Sequence, residues 1–235
     1  MSVKRGILSI ETATKLCSAA YSVDGQILTY RVSDGTKPNH AETLAPFIEE
    51  ILKSKEVEGM TPEAIAVSAG PGSYTGLRIG ASTAKGLAFG YEIPMIAVPT
   101  LQIVAAATPN PDNHLICAMI DARRMEVYTA LFDANLEPLS EDHAIVIDET
   151  FLQKQLKEQK IIFAGDGADK SRDIIQSSNV IFTDQVIYPT AMAMAPLANR
   201  LLKEKSFVDT AYWQPDYLKE YVAIVGKNKV LNNIK

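Results

Sequence analysis

A chain of 235 residues with 47% hydrophobic and 22% charged residues is long enough to bury a core without disulfide or metal staples. Its net charge of −5 argues against nucleic-acid binding through overall charge, which leaves a basic footprint, although a local patch stays open. No stretch approaches the roughly 18 apolar residues of a membrane span. The opening MSVKRGILSIETAT lacks the length and cleavage pattern of a signal peptide, so a soluble, cytoplasmic protein is expected.

Residues 6–13 and 16–23 read as strands. The second closes on Asp24-Gly25, a hairpin turn pair, and residues 27–32 complete a three-strand meander. Leu44, Phe47, Ile48, Ile51 and Leu52 carry helical spacing over 39–55, with Asn39 as the cap and Pro46 as a kink. Strand 64–69, helix 75–89, strand 94–98 and helix 101–107 follow, giving the order β-β-β-α-β-α-β-α. Thr108-Pro109-Asn110-Pro111 is a linker. The second section opens with strands 115–121 and 126–132 around the turn Ala122-Arg123-Arg124. It continues through helix 150–158, strand 161–164 with Gly165-Asp166-Gly167 at its end, helix 168–176, strand 180–183 and helix 189–205. Both sections begin with a strand pair, a hint of duplication. The expected division is a first lobe of residues 1–108, completed by 189–235, and a smaller second lobe of 109–188.

Ser68 to Gly90 reads SAGPGSYTGLRIGASTAKGLAFG. Gly70-Pro71-Gly72 ends the preceding strand, and Ser73 or Thr75 is placed to cap the next helix. Within it Gly72, Gly76, Gly80 and Ala84 recur every four residues and form one smooth face. Helical glycine costs roughly 0.5–1 kcal/mol relative to alanine, so the run has a purpose. Phosphate binding at the helix N-terminus is one reading, but the Lys-Ser/Thr of a P-loop is missing. Close packing against another helix, within the chain or on a partner, is the preferred one.

Cys17 and Cys117 lie in separate apolar runs without metal-ligand spacing and read as buried thiols. His40, His114 and His143 form no H-x-x-x-H pair or cluster, so no metal site and no catalytic residue is expected. The segment 219–235 carries four lysines and one glutamate. It reads as a solvated tail, or as an arm touching an acidic partner such as RNA.

The two-lobed α/β pattern opening on a meander resembles the actin-like ATPase (ribonuclease H-like) fold, each lobe a mixed sheet flanked by helices. Those ATPases hold phosphate on D-x-G-x-T-like turns. Here Glu11-Thr12-Ala13-Thr14 and Asp121-Ala122-Arg123 stand in their places, with Ala13 and Arg123 where glycine would let backbone N–H groups reach phosphate. Gly165-Asp166-Gly167 reads as the remnant of an adenine-side loop. The resulting degenerate pocket comprises Glu11, Thr12, Asp121, Arg123, Gly165 and Gly167.

Gly70-Pro71-Gly72-Ser73-Tyr74-Thr75-Gly76-Leu77-Arg78-Ile79-Gly80 resembles the signature GPGSFTGLRIG of the TsaB (YeaZ) family, with Tyr for Phe. His40-Ala41-Glu42, Ile120-Asp121-Ala122-Arg123-Arg124, Glu126-Val127-Tyr128, Gly165-Asp166-Gly167 and Pro215-Asp216-Tyr217-Leu218 are similar to other family motifs. The last usually ends in Arg, where this chain has Lys219, a swap that loses the planar fork. The resemblance implies a non-catalytic subunit of the bacterial machinery that makes threonylcarbamoyladenosine on tRNA. Its implied partners are the catalytic paralogue TsaD, the ATPase TsaE and, through the complex, tRNA, with a homodimer possible when alone. Threonylcarbamoyl-AMP would supply the group transferred to N6 of adenosine 37 in tRNAs reading ANN codons. No cofactor is expected to be held tightly by this chain alone, while ATP or ADP and a metal belong on the partners.

The resemblance also implies pairing through the helices 42–53 and 75–89. Glu42, Leu44, Phe47, Ile48, Ile51, Gly72, Tyr74, Thr75, Gly76, Arg78, Gly80 and Ala84 are the expected interface. A bulky residue at Gly76 is then expected to abolish pairing and spare the fold. A free-standing nucleotide-dependent kinase or ATPase is the rival reading, and Ala13 and Arg123 speak against it. A peptidase has no assembled nucleophile behind it.

Overall fold

The computed structural model describes residues 5–36 and 39–218. Lys219 and the lysine-rich segment 219–235 lie outside the described residues.

The meander forms where the alternation of side chains placed it. Strands β1 (Arg5–Glu11), β2 (Ser18–Val23) and β3 (Gln26–Val32) pair antiparallel, while β4 (Thr61–Ser68) and β5 (Met95–Val98) add in parallel, in the order β3-β2-β1-β4-β5. Asp24 and Gly25 both take positive φ, 51° and 78°, the backbone that a two-residue hairpin loop requires.

The second section repeats this plan. Strands β6 (Leu115–Asp121), β7 (Glu126–Phe132) and β8 (His143–Val146) are antiparallel, and β9 (Ile161–Ala164) and β10 (Val180–Phe182) are parallel to β6 and to each other, in the order β10-β9-β6-β7-β8. Strand for strand, the order and directions match the first sheet. β8 escapes the sequence reading because it is an edge strand with no buried side chain to give it a period.

Successive residues of β1 and β4 feed opposite layers, as a period of two demands. Leu8, Ile10, Ile65 and Val67 pack under helices α1 (His40–Leu52) and α2 (Tyr74–Tyr91). Ile7, Ala64 and Ala66 face the other side, with Ile103 of α3 (Thr100–Ala107), then Met194 and Leu197 of the C-terminal helix. Helix α3 is apolar nearly all round, and such helices are buried. Its Ile103 belongs to the first sheet's core, whereas Leu101, Val104 and Ala105 pack on Ile116, Ala118 and Phe132 of the second. It thus fills the space between the sheets. The far face of the second sheet is covered by α4 (Gln153–Glu158) and by Phe151 and Ile175. Helix α5 (Ala191–Lys203) packs back onto β1, β2 and β5.

Several boundaries differ from those read in the sequence. Residues 168–176 contain only a 3₁₀ turn, Ala168–Ser171, and 150–158 shortens to α4. Asn39 accepts the Glu42 and Thr43 N–H groups on its backbone carbonyl, while its side-chain amide turns to the Glu42 carboxylate instead of capping. Helix α1 continues through Pro46, which is exposed. Ser73 does cap α2, accepting the Gly76 N–H at 3.3 Å.

A buried hydrogen bond also ties the start of α5 to the sheet: Ser18 Oγ accepts the Ala191 N–H at 2.9 Å. Ser18→Ala leaves that N–H unpaired, and a loss of about 1–3 kcal/mol is expected in urea unfolding.

Candidate functional site

The loop after β1 is fastened from three sides. Glu11 is fully buried, and its Oε1 accepts the Ala13 N–H at 2.6 Å. Burial pushes its carboxyl up to about 7, drawn back in part by the Ala13 N–H and the Ser68 hydroxyl. Thr12 Oγ1 donates to the Gly76 carbonyl at 2.8 Å, and the Ser73 N–H donates to the Ala13 carbonyl at 2.7 Å. The ring of buried His40, at the start of α1, lies 2.7 Å from the Thr14 carbonyl. The Ala13 N–H, which a phosphate-binding turn would offer to its ligand, is spent on the chain's own carboxylate.

The second turn is also closed, by a different set of bonds. Asp121 Oδ1 accepts the Arg123 N–H at 2.6 Å and the Lys170 ammonium at 2.6 Å, and the Asp121 N–H donates to Asp166 Oδ1 at 2.9 Å. Arg123 and Arg124 have φ of 68° and 53°. The backbone thus holds a glycine-like conformation while carrying two arginines, at a cost of roughly 1–2 kcal/mol per residue. Gly165 and Gly167 lie on the β6 backbone: a Cβ on Gly165 would overlap the Met119 carbonyl oxygen, and one on Gly167 would sit 2.9 Å from the Ile120 carbonyl carbon. Burial, with the Asp121 charge adding, raises the Asp166 carboxyl above its ordinary value.

Lys15, stacked 4.7 Å over the Tyr188 ring, lies within electrostatic reach of Asp166. The hollow beside Gly165 measures only about 60 Å³, against roughly 300–1,000 Å³ for a ligand pocket, and Arg172 stacks 4.2 Å from Phe182 on its wall. Both thiols are buried and inert, burial pushing Cys17 and Cys117 up to about 12.

The expected interface needs correction. The smooth face of α2 is turned inward: a Cβ on Gly76 would overlap the Thr12 carbonyl oxygen, one on Gly80 the Thr12 hydroxyl, and one on Gly72 would lie 2.5 Å from the Ala13 carbonyl oxygen. Ala84 is buried in the first lobe's core, and so are Leu44, Ile48 and Ile51 of α1, with Phe47 packed partly against it. These eight residues hold the chain's own lobe together; Leu44, Ile48, Ile51, Gly76, Gly80 and Ala84 are buried in it, while Phe47 and Gly72 are half-buried. Tyr74 is half-buried, its ring 5.0 Å from that of Tyr217 and covered by Arg78 at 4.7 Å.

Of the twelve expected residues, Glu42, Thr75 and Arg78 remain exposed. With them stand Ala45, Pro46 and Glu49 on α1, then Ser82, Gly86 and Phe89 on α2. Phe89 is 81% exposed, and Gly86 and Gly90 have open space around them. Ser82 lies about 200° around the helix from Gly80. Ser82, Gly86 and Gly90 form a second small-residue stripe, at the same spacing of four, that the sequence reading passed over.

The family model described as "TsaD: tRNA N6-adenosine threonylcarbamoyltransferase" matches residues 34–227. The tRNA threonylcarbamoyladenosine biosynthesis protein TsaB of Escherichia coli is 30% identical over 92% of this chain and 96% of its own length. The chain belongs to the TsaB (YeaZ) family. The Bacillus subtilis TsaB is 31% identical over 91% of this chain and 93% of its own. The solved structure of YeaZ from Pseudomonas aeruginosa superposes with a TM-score of 0.79 at 25% identity, covering 91% of this chain and all of that one. The two-lobed α/β fold is thus the family's fold.

Two outcomes are expected from the TsaB-like loop geometry. Gly76→Ala forces α2 off the Thr12 carbonyl and lowers stability by about 1–3 kcal/mol or more, read by thermal unfolding of the isolated chain. Glu11 is more protonated in the folded than in the unfolded state between about pH 4.5 and 7. Stability therefore falls as pH rises through that window and levels off above it. Glu11→Gln flattens this part of the curve and gains about 3 kcal/mol on the wild type at pH 8, read by urea unfolding at several pH values.

Proposed function

We propose that the chain is a non-catalytic scaffold subunit of a tRNA-modifying complex. It pairs with a TsaD-like catalytic paralogue so that a threonylcarbamoyl group is transferred to N6 of adenosine 37 in tRNAs reading ANN codons. The carrying observation is that the loops matching ATPase phosphate turns have their backbone donors and carboxylates engaged within the chain, while a neighbouring helix pair keeps an exposed, partly apolar face. The names of the E. coli and B. subtilis relatives support the pathway. Nucleotide and metal then belong to partner subunits, TsaE among them, and tRNA is met through the complex.

The docking face of this reading is the outer side of α1 and α2. Glu42, Ala45, Pro46 and Glu49 repeat with helical spacing on α1; Thr75, Arg78, Ser82, Gly86 and Phe89 do so on α2. Small residues let a partner helix approach, Arg78 is of a type enriched among binding hot spots, and Phe89 is of one enriched at protein interfaces. Without the paralogue the same face serves a two-fold homodimer.

The test is reconstitution with TsaD, TsaE, the threonylcarbamoyl-AMP synthase, threonine, bicarbonate, ATP and unmodified tRNA. Modified adenosine is expected only when this chain is present, and the chain alone is expected neither to bind nor to hydrolyse ATP. Product without the chain, or ATP turnover by the chain alone, refutes the reading. Phe89→Asp and Gly86→Trp are each expected to weaken binding to the paralogue at least tenfold. As exposed changes they shift folding stability by no more than about 0.5 kcal/mol, so calorimetric titration separates pairing from folding.

A further inference from the structure

A second hollow shares no residue with the degenerate pocket and is opposite in its chemistry. It measures about 530 Å³ and is lined by Pro99 and Gln102 at the start of α3, Phe132 at the end of β7, and Pro138 to Asp142 of the β7–β8 loop, a size common among small-molecule sites. Pro99, Phe132, Pro138 and Leu139 give it apolar walls.

Its polar groups are mostly acceptors. Gln102 is over nine-tenths buried, and its Nε2 is committed to the Leu136 carbonyl at 2.9 Å. That bond fixes the amide and leaves the side-chain oxygen as what Gln102 offers to the hollow it lines. Ser140 Oγ already accepts the Leu131 N–H. Glu141 and Asp142 supply carboxylates, and Asp216 lies close enough to raise the Asp142 carboxyl further, beyond the effect of burial; His143, the next residue, opposes this. The His143 ring is engaged with the Glu141 carbonyl. Asp216 is fixed in place by its N–H on the Ala69 carbonyl at 2.7 Å. Among the described residues no lysine or arginine is ion-paired with Glu141, Asp142 or Asp216. Carboxylates brought together beside an apolar wall without a cation are poorly compensated.

We propose that this hollow binds an alkylammonium group, its charge held by Asp142 and Glu141, its N–H donors shared with the Gln102 side-chain oxygen, and its stem laid on Phe132 and Leu139. An ammonium supplies three donors and the compensating charge, and a short apolar stem matches the walls. Two sources carry this chemistry: a free amine, or a lysine of the sequence that follows Asp216, which holds Lys219, Lys227, Lys229 and Lys235. The inference is independent of the scaffold reading and of the α1–α2 face.

The experiment is an NMR titration of the full chain with n-pentylamine, and with n-pentanol as the neutral control, following the Gln102 side-chain amide and the Leu139 backbone amide. Pentylamine is expected to shift both signals saturably and to bind at least tenfold more tightly than pentanol, and Asp142→Asn is expected to erase that preference. A variant with all four of those lysines changed to Gln separates the sources. Unchanged pentylamine affinity assigns the site to a free amine, and clearly tighter binding assigns it to a lysine of the chain itself. Equal binding of pentanol and pentylamine overturns the proposal. So does an Asp142→Asn chain that keeps the preference, or the absence of saturable binding in both the wild type and the lysine-free variant. Should Asp142→Asn fail to fold, the amine-against-alcohol comparison on the wild type still decides.

Discussion

The structure turns on a backbone-to-backbone approach. Helix α2 comes so near the Thr12–Ala13 loop that no side chain fits at Gly72, Gly76 or Gly80, and the hydrogen bonds from Thr12 to Gly76 and from Ser73 to Ala13 close the contact. The His40 ring reaches the same loop from α1. One short loop thus fixes where both helices begin. Their inner sides then fill the core around Leu8, Ile10, Ile65 and Val67, and their outer sides become the available surface. Helix placement, core and candidate docking face all follow from that one clearance.

The same contact closes the loop that resembles a phosphate-binding turn. A turn that binds phosphate keeps its N–H groups unspent and its mouth open. Here the carboxylate of Glu11 bends back to the Ala13 N–H, and α2 sits on the loop. The second lobe reaches an equivalent state by other means, with Asp121 holding Arg123 and Lys170 and the Gly-Asp-Gly loop lying on β6. Two sheets of identical strand order carry two loops closed in two different ways. The repeat preserved the framework and not the local solution.

Most of the framework was legible in the sequence, because buried strands and amphipathic helices announce their period. The β6 and β7 boundaries and the Asp24-Gly25 turn follow from alternation and turn chemistry alone. What stayed hidden was what periodicity does not encode. β8 buries nothing, and 168–176 has helical composition but folds as a 3₁₀ turn and irregular chain. At the candidate site, the glycine spacing in α2 gave the close approach but not its direction. Gly76 and Gly80 meet Thr12 of the same chain, and a spacing of four is identical whether the neighbour is internal or external. The direction is set by tertiary packing, with Ala84 and Ala88 drawn into the core and Phe89 left outside. The amine-sized hollow was equally invisible, since Gln102, Phe132 and Asp142 come from three elements that only the fold brings together.

Narrow on both sides, α2 is a thin plate between the Thr12–Ala13 loop and whatever lies outside. Protein interiors deform little, and long side chains are what usually absorb a displacement by changing rotamer. Along Gly72, Gly76 and Gly80 there are none to do so. A push on the outer stripe at Ser82 or Gly86 therefore reaches the loop, and through His40 the start of α1, with almost no slack. The geometry makes the helix a stiff link, and the Thr12–Ala13 loop is the point where that link ends.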